Sequence, residues 1–129
     1  MIEIKRTTDQ SVYDEFGFGA DCAVMAAKDK DEIFGAGSVS IKDGYAVLEA
    51  ICVKEEYKMF NMEFAIGKAL LNMLDLAGVR YVLSDMTDER LMTALRFKKE
   101  YELPGGFDTD KNYSRFLCLD GYFAVHVCE

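Results

Sequence analysis

Residues 48–71 contain the transition from strand to helix that decides the fold we predict. The stretch begins with Leu48-Glu-Ala-Ile-Cys-Val53, an apolar run typical of a β-strand, and ends with Phe64-Ala-Ile-Gly-Lys-Ala-Leu-Leu71. From residue 64 to residue 77 the apolar positions recur with the 3.6-residue period of an amphipathic helix, and Gly78 suits the cap that ends it. The N-terminus of such a helix attracts anions through its N–H groups and its dipole. The junction therefore predicts an anion site that suits a pyrophosphate, with a plain core helix as the alternative.

Three strand-like runs lead up to the helix, at residues 21–27, 33–41 and 45–53. The first run is followed by Lys-Asp-Lys-Asp-Glu, which is typical of a solvated hairpin tip. The second is followed by Asp43-Gly44, a pair that favours a tight hairpin because a type I′ turn needs positive φ angles. The three runs therefore predict an antiparallel meander.

The remaining segments place this meander in a mixed sheet. Residues 79–84 form an apolar run after the helix, and a strand–helix–strand unit of this size implies a parallel pair. Thr87 or Asp88 can cap a second helix that continues to about Glu100. Shorter elements are predicted at residues 1–6 (strand), 11–16 (short helix), 115–119 (strand) and 122–127 (strand). The order predicts an α/β (α+β) fold in a single domain, residues 1–129, with a mixed, mainly antiparallel central sheet.

The composition is that of a folded domain with an acidic balance. Hydrophobic residues make up 50% of the 129 residues, which is enough to build a core. The 23 acidic and 15 basic residues give a net charge of −8, which argues against nucleic-acid binding. No apolar run approaches the roughly 20 residues of a membrane span, and the N-terminus lacks the apolar core of a signal peptide. We therefore expect a cytoplasmic protein that does not bind membranes.

Metal ligands are not clustered along the sequence. The cysteines Cys22, Cys52, Cys118 and Cys128 form no Cys-x-x-Cys pair, and His126 is the single histidine. A zinc site needs clustered ligands, so we predict no metal site. We expect three of the cysteines to be buried free thiols, Cys128 to be exposed and His126 to be structural.

Between residues 53 and 71 the chain resembles the GNAT superfamily of acyl-CoA-dependent N-acyltransferases. The central motif of that family reads approximately Val-x-Pro-Glu-Tyr-Arg-Gly-x-Gly-Ile-Gly-x-Ala-Leu-Leu. Val53-Lys-Glu-Glu-Tyr-Lys58 is similar to the strand exit of the motif, and Ala65-Ile-Gly-Lys-Ala-Leu-Leu71 is similar to its phosphate loop and helix start. The order of elements extends the resemblance over most of the chain. It implies a GNAT-like fold, in which a three-strand meander is followed by a β-α-β unit.

Four features depart from the family pattern. Ala65 replaces the first glycine of the motif, Met62 stands at its arginine or glutamine position, and about four residues are inserted between Lys58 and Glu63. Only residues 7–20 separate the first two strands, where the family usually has two helices that help to form the acceptor site. These departures motivate an alternative function: a catalytically degenerate GNAT-fold protein that acts as a ligand-binding or dimerisation module.

The resemblance implies acetyl-CoA or another acyl-CoA as co-substrate, and direct transfer of the acyl group to a primary amine. In the family, the last meander strand and the following parallel strand splay apart, and the acyl-pantetheine lies between them. The resemblance implies that backbone groups of Ile51, Cys52 and Val53 face the pantetheine. It also implies that N–H groups of Phe64, Ala65, Ile66, Gly67 and Lys68 bind the pyrophosphate, with added charge from Lys58 and Lys68. A small-molecule or lysine-type amine is the implied acceptor, and the acidic composition suits its positive charge.

Acyl transfer to an amine needs an acceptor for the amine proton and a proton for the leaving thiolate. Glu49 lies in the strand that resembles the catalytic one and is the candidate base; its alternative role is an outward-facing surface carboxylate. The tyrosine that the family often uses as the acid falls near Leu95 or Phe97. Tyr101 is the nearest substitute for that acid, with packing as its alternative role.

Two further predictions concern recognition. Asp85 and Asp88, just past the parallel strand, could attract a cationic amine, or could serve as turn and cap residues. Met59 and Phe60 lie in the inserted segment of a chain that has seven methionines, and they suit a partner surface. A homodimer is therefore one expectation.

Overall fold

The strands of the described chain form one continuous sheet. The structure is a computed structural model that describes residues 2–105 and 107–123, with the backbone alone at residues 59 and 60. Its strands are β1 (Ile2–Thr7), β2 (Ala23–Asp29), β3 (Glu32–Ile41), β4 (Ala46–Val53), β5 (Tyr81–Ser84) and β6 (Arg115–Cys118). Its helices are α1 (Gln10–Phe16), α2 (Met62–Leu76) and α3 (Glu89–Ala94), and a 3-10 helix, Glu55–Phe60, precedes α2.

The order of strands across the sheet is β1-β2-β3-β4-β5-β6. Strands β1 to β4 each pair antiparallel with the next, which confirms the predicted meander. α2 then returns the chain so that β5 pairs parallel with β4, and β6 pairs antiparallel with β5. The predicted mixed, mainly antiparallel sheet with a β-α-β unit is therefore confirmed in the described residues.

The local signals for turns and caps operate as expected around the meander and α2. Gly44 has a φ of 88° in the turn between β3 and β4. Gly78 has a φ of 86° just after α2, and its N–H donates to the carbonyl of Asp75. Both positions require the left-handed region, which glycine adopts without a steric cost. The hairpin tip between β2 and β3 is tighter than the charged run suggests, because the strands extend to Asp29 and start again at Glu32.

α3 is shorter than the sequence predicts. Its start agrees with the prediction, since the Asp88 carboxylate accepts a hydrogen bond of 3.0 Å from the Leu91 N–H. The helix ends at Ala94, and Arg96 adopts a left-handed conformation with a φ of 71°. The prediction of a helix that continues to about Glu100 is therefore wrong.

Beyond α3 the chain joins the edge of the sheet instead. The Lys98 N–H donates to the Phe116 carbonyl at 2.8 Å, and the Phe116 N–H donates back at 2.9 Å. Phe97, the preceding residue, is buried. A longer helix would have satisfied the same backbone groups internally. The bridge to β6 satisfies them while also burying Phe97, which explains why the helical spacing of the sequence is not followed.

The predicted last strand does not start where we expected. Tyr122 and Phe123 lie in a turn that follows Gly121, which has a φ of 72°. Positions 124–127 of that predicted strand, including His126, lie outside the described residues. So do Cys128 and the side chains of Met59 and Phe60. The homodimer suggested by Met59 and Phe60 stays a prediction.

The two faces of the sheet are covered differently. The main core lies under α2 and α3, and its largest fully buried side chains are Phe34, Leu48, Ile66, Leu70, Leu71, Leu74, Met92 and Leu95. On the opposite face, α1 packs over β2 and β3 through Val12 and Tyr13. Residues 101–105 and 107–113 cover β4, β5 and β6 on the same face, mainly through aromatic side chains. The sheet surface between these two covers is where the second cleft described below lies.

α2 lies close to the sheet because β3 has glycines beneath it. A Cβ atom on Gly37 would lie 2.7 Å from Leu70 Cδ1 and 2.9 Å from Ile66 Cγ2, and both of those side chains are fully buried. A Cβ atom on Gly35 would lie 3.0 Å from the carbonyl oxygen of Cys52. The absence of side chains at these two positions therefore sets how closely the helix and β4 pack against β3.

We expect Gly37→Ala to lower the free energy of unfolding by about 1–3 kcal/mol, because the added methyl group overpacks a rigid interface. The reduced entropy of the unfolded chain works in the opposite direction, by about 0.4–1 kcal/mol. Urea unfolding measures the difference. Gly105→Ala is the control, since a Cβ atom there meets no atom within 4 Å. Equal stability of the two variants would contradict the close packing of α2 on β3.

Candidate functional site

β4 contains a bulge at Glu49. Ser38 of β3 is paired with Ala50, and the next residue, Val39, is paired with Leu48, so Glu49 is the extra residue of β4. A bulge of this kind shifts the alternation of the strand by one residue. Leu48 and Ile51, three positions apart, consequently both lie in the main core under α2. The Glu49 side chain is exposed on the opposite face, so the outward-facing carboxylate that we considered is what the structure shows.

The parallel ladder between β4 and β5 covers only three residue pairs, the last being Leu48 with Ser84. The Ser84 hydroxyl donates to the Leu48 carbonyl at 2.8 Å, and β5 ends there. β4 continues to Val53 with no described strand on this side. Within the described residues, the edge from Glu49 to Val53 is therefore open, in the place where the family resemblance implies that the strands splay.

Backbone alternation shows which groups of β4 face the open edge. The Lys54 N–H donates to the Phe34 carbonyl of β3, and successive residues of a strand direct their backbone groups to alternate sides. Cys52 therefore directs its N–H and C=O groups toward β3. Ile51 and Val53 direct theirs toward the open edge. Of the three backbone contacts that the resemblance implies, Ile51 and Val53 are placed to reach a ligand at this edge.

A cleft of about 470 Å³ lies beside the N-terminus of α2, and we call it the α2 cleft. Its lining residues are Asn61, Glu63, Phe64, Asp88, Arg90, Leu91 and Ala94. Asn61 has a left-handed φ of 57° and makes no side-chain cap to α2. The N–H groups of the first helical turn, at Met62, Glu63 and Phe64, have no carbonyl partner within α2. The helix thus directs backbone donors toward this end without a capping side chain.

The anion-binding N–H groups predicted from the sequence only partly coincide with these donors. The Ala65 N–H donates to the Asn61 carbonyl at 3.1 Å, which is the first α-helical hydrogen bond. Ile66, Gly67 and Lys68 follow it inside the helix, where their N–H groups belong to the helical ladder. Phe64 is the one predicted donor that lies in the first turn.

Gly67 is required for packing inside the protein. A Cβ atom on Gly67 would lie 2.8 Å from Leu95 Cδ1 and 3.3 Å from Ile51 Cδ1. Gly67 therefore faces α3 and β4 rather than the α2 cleft. Leu95, which falls near the position of the family tyrosine, is fully buried against it. The motif glycine thus allows α2, α3 and β4 to meet closely.

The two lysines of the predicted cofactor site do not line the α2 cleft. Lys58 lies in the 3-10 helix and is exposed. The Lys68 ammonium lies 4.4 Å from the ring centroid of Tyr122 and 5.8 Å from that of Phe64, distances typical of cation–π contacts. Burial, and then repulsion from Arg96, lower the pKa of Lys68.

A second cleft, of about 320 Å³, lies on the opposite face of the sheet, and we call it the Glu49 cleft. Its lining residues are Gly17, Phe18, Gly19, Cys22, Ser38, Glu49 and Ala50. The loop after α1 forms one wall, and β3 and β4 form the floor. Glu49 is the charged residue of this lining, and its carboxylate accepts a hydrogen bond of 2.6 Å from the Ser40 hydroxyl.

The charge of Glu49 contributes to the pKa shifts of two other residues, Lys111 and Tyr113. The pKa of Lys111 is raised, mainly by its hydrogen bond to Asp85 and to a smaller extent by Glu49. The pKa of Tyr113 is also raised, mainly by burial, with Asp110 and Glu49 adding to the effect. The segment that carries Lys111 and Tyr113 is therefore close enough to Glu49 to sense its charge.

Tyr101, the candidate acid, does not join either cleft lining. Its hydroxyl donates to the Tyr113 carbonyl, and its ring stacks on Phe116 with 5.0 Å between centroids. These contacts agree with the packing role that we considered as the alternative. Glu49 and Tyr101 are therefore not brought together in one site by this structure.

The two aspartates that follow β5 have structural partners. Asp88 caps α3 and also lines the α2 cleft. Asp85 accepts a hydrogen bond of 2.8 Å from the Ser114 N–H and pairs with the Lys111 ammonium at 2.7 Å. Asp85 therefore holds residues 111–114 against the end of β5.

Sequence reasoning missed Ser40, Cys22 and the loop Gly17-Phe-Gly19, all of which lie at or beside Glu49. The alternation of Ser38 and Ser40 in β3 was a usable signal, since residues two apart in a strand share a face.

The described residues include no helix that could cross a bilayer. They also include no group of three or more His, Cys, Asp or Glu side chains that could hold a metal ion.

Comparison with known proteins finds similarity in fold. No protein-family model matches the chain, and no curated protein matches its sequence. An acetyltransferase of the GNAT family from Staphylococcus aureus Mu50 superposes with a TM-score of 0.68 at 11% identity, over 92% of this chain and 99% of that one. The ribosomal-protein-S18-alanine N-acetyltransferase from Escherichia coli superposes with a TM-score of 0.65 at 16% identity, over 90% of each chain.

A third solved structure contains a ligand. A GNAT family acetyltransferase from Elizabethkingia anophelis, with acetyl-CoA bound, superposes with a TM-score of 0.62 at 11% identity, over 91% of this chain and 94% of that one. The three comparisons show that this chain has the fold of the GNAT acetyltransferases, as the resemblance in its sequence implied.

We expect Asp85→Asn to lower the stability at pH 7, by less than about 1 kcal/mol because the ion pair is partly exposed. The hydrogen bond from Lys111, followed by that from Ser114, lowers the pKa of Asp85 below its ordinary 3.8. A lowered carboxyl pKa stabilises the fold above pH 3.8, and this contribution is lost as the pH falls through the lowered value.

Urea midpoints at pH 7 and at about pH 2 test this sign, with Asp108→Asn, at an exposed aspartate between α3 and β6, as the control for removing one negative charge. A difference between Asp85→Asn and the parent protein that persists unchanged at low pH would contradict the assignment.

Proposed function

We propose that this chain is a GNAT acyltransferase, in one domain of residues 1–129, that transfers an acyl group from acetyl-CoA or another acyl-CoA to a primary amine. The observation that carries the proposal is the open edge of β4. It lies between the α2 cleft on one face of the sheet and the Glu49 cleft on the other. A thioester on that edge would be reached by an amine from the carboxylate side. The fold shared with GNAT acetyltransferases, one of which binds acetyl-CoA, supports the same reading.

The chain offers backbone groups for an acyl-CoA. The N–H groups at the start of α2, from Met62 to Phe64, suit the pyrophosphate because they are uncapped and lie at the positive end of the helix dipole. The backbone groups of Ile51 and Val53 suit the amides of the pantetheine, since they point to the open edge. A ligand held in this way extends from the α2 cleft along β4 toward the bulge.

Bound acyl-CoA would supply the thioester, and the chain would supply proton transfer and charge stabilisation. Glu49 would take a proton from the ammonium form of the acceptor, directly or through a water, so that the neutral amine can attack the carbonyl carbon. The N–H group of Ile51 on the open edge would stabilise the negative charge that develops on the carbonyl oxygen. The attacking nitrogen then releases its second proton, the bond from carbon to sulfur breaks, and the thiolate takes up a proton from that nitrogen or from solvent.

The acceptor would be a small-molecule or lysine-type amine. The Glu49 cleft has one carboxylate among otherwise small or apolar lining residues, which suits a single ammonium group on a slender chain. Phe18 in the lining of the cleft would pack against the methylene groups that follow the amine. A bulky acceptor would have to displace the loop after α1.

A binding protein without catalysis is the second candidate. Glu63 and Asp88 place two carboxylates in the lining of the α2 cleft, where phosphates would lie, and Arg90 is the single basic residue of that lining. Leu95 fills the place near which the family tyrosine would fall. CoA binding without any acyl transfer would favour this candidate.

We expect Ala94→Glu to weaken CoA binding at least about tenfold, because it adds bulk and negative charge to the α2 cleft. Thr93→Glu is the matched control. Thr93 is the neighbouring exposed residue of α3 and does not line the cleft, so the same charge is added to the same helix end. Calorimetric titration of each variant with CoA measures the effect. Equal loss in both variants, or none in either, would show that CoA does not occupy the α2 cleft.

We expect Glu49→Gln to reduce the rate of acyl transfer about 100-fold or more, in the range typical of the loss of a general base, with little effect on CoA binding. Tyr101→Phe should leave transfer within about twofold and lower stability by about 1 kcal/mol, because it removes one hydrogen bond to the Tyr113 carbonyl. Thiol release from acetyl-CoA with a panel of amines measures transfer. A large loss of transfer in Tyr101→Phe would instead support the acid role.

A further inference from the structure

A chain of hydrogen bonds connects three side chains at and beside the Glu49 cleft. The Ser40 hydroxyl donates to Glu49 Oε2 at 2.6 Å, and Cys22 Sγ lies 3.6 Å from the Ser40 hydroxyl oxygen. Cys22 comes from the end of the loop that carries Gly17 and Gly19. Ser40 and Glu49 come from β3 and from the bulge of β4. The three residues therefore tie the wall of the cleft to its floor.

The direction of these bonds follows from the number of protons. A serine hydroxyl carries one proton, and an ionised carboxylate can only accept. Because the proton of Ser40 goes to Glu49, the thiol of Cys22 must donate to Ser40. Each bond in such a chain polarises the next. Cys22 thus holds the orientation of the Ser40 hydroxyl that Glu49 uses.

The position of Glu49 explains why its side chain needs a partner. As the bulge residue, Glu49 has no cross-strand neighbour in the pairing of β3 and β4, and its side chain is exposed. A glutamate in that setting can adopt many rotamers, and ordering it costs side-chain entropy. The bond from Ser40 reduces that freedom at one oxygen, Oε2. The other oxygen, Oε1, is then available in a defined place for an incoming ammonium group.

We propose that Ser40 is a positioning residue for Glu49 in acyl transfer, and that Cys22 orients the Ser40 hydroxyl. The inference rests on the proposed function, because it names a residue that acts through the base of that reaction. Ser40 itself touches neither the acyl group nor the amine in this scheme. Its effect appears in the rate of proton removal, not in the binding of CoA.

Kinetics of Ser40→Ala and Ser40→Thr test this role. We expect Ser40→Ala to lower kcat for transfer about tenfold, as for the loss of one charge-assisted hydrogen bond, and to leave the KM for acetyl-CoA unchanged. Ser40→Thr keeps a hydroxyl on a residue that strands accept and should restore most of the rate. Ser11→Ala is the matched control. Its hydroxyl also donates to a carboxylate, that of Asp9 at 2.8 Å, but at the start of α1.

A double-mutant cycle shows whether Ser40 acts through Glu49. Ser40→Ala should slow the parent enzyme about tenfold but should change the residual rate of Glu49→Gln by less than about twofold, because the base is already absent. Equal factors in both backgrounds would overturn the proposal. So would a Ser40→Ala variant with the kcat of the parent, or a Ser40→Thr variant as slow as Ser40→Ala while its urea midpoint equals that of the parent.

Failure of the proposed function gives a different result. A parent protein that binds no CoA, or that transfers no acyl group to any amine of the panel, would overturn the proposed function and the role of Ser40 with it. Transfer by the parent that Ser40→Ala leaves intact would overturn the role of Ser40 alone. The two failures are therefore distinguished by the parent enzyme before any variant is measured.

Discussion

The parallel pairing of β4 with β5 stops at Leu48 and Ser84, and the arrangement of both clefts depends on that stop. The Ser84 hydroxyl donates to the Leu48 carbonyl and accepts from the Met86 N–H, so a side chain takes the place of the next backbone donor of β5. The following residue of β4 is the bulge at Glu49. Because the stop and the bulge coincide, one strand has an open edge beside α2 and a carboxylate on the opposite face. A ladder that continued to Val53 would close the edge.

The α2 cleft and the Glu49 cleft, the two ends of the proposed site, owe their electrostatic potential to different groups. At the α2 cleft the helix supplies a positive potential equivalent to about half an elementary charge, while the two carboxylates of the lining outnumber its one basic side chain, Arg90. Glu63 in the first turn stabilises α2 through the same dipole, by about 0.3–1 kcal/mol, and opposes a bound phosphate. Backbone donors therefore have to supply most of the attraction for an anion here. At the Glu49 cleft the charge is a side chain, and its placement depends on Ser40.

Features that depend on local sequence could be predicted, and those that depend on distant partners could not. The helix at residues 64–77 and the turn at Asp43-Gly44 follow from periodicity and from backbone preference, so they agree with the structure to within a few residues. The early end of α3 depends on the bridge to β6, eighteen residues away along the chain from Lys98 to Phe116. In the candidate site, Glu49 was predicted because it lies in the strand that resembles the catalytic strand of the family. The alternation of Ser38 and Ser40 indicates that these two serines share a face, but the contact of Ser40 with Glu49 depends on a register that the bulge displaces by one residue.

The short segment before β2 explains why residues 101–105 and 107–113 are needed to cover the sheet face on which Glu49 lies. This chain has one short helix, α1, between its first two strands, so the other cover of that sheet face comes from a segment without regular structure.

Asp110 Oδ1 accepts hydrogen bonds from the Tyr45 and Tyr113 hydroxyls, at 2.8 and 2.7 Å. Burial is the main cause that raises the pKa of both tyrosines, so both hydroxyls stay protonated and able to donate at neutral pH. At the wall of the Glu49 cleft, the Tyr13 hydroxyl donates to the Cys22 carbonyl at 2.6 Å and holds the loop after α1. Tyrosine hydroxyls thus hold both segments that cover this face of the sheet, the loop after α1 and the segment that carries Asp110 and Tyr113, although one short helix is all that separates β1 from β2.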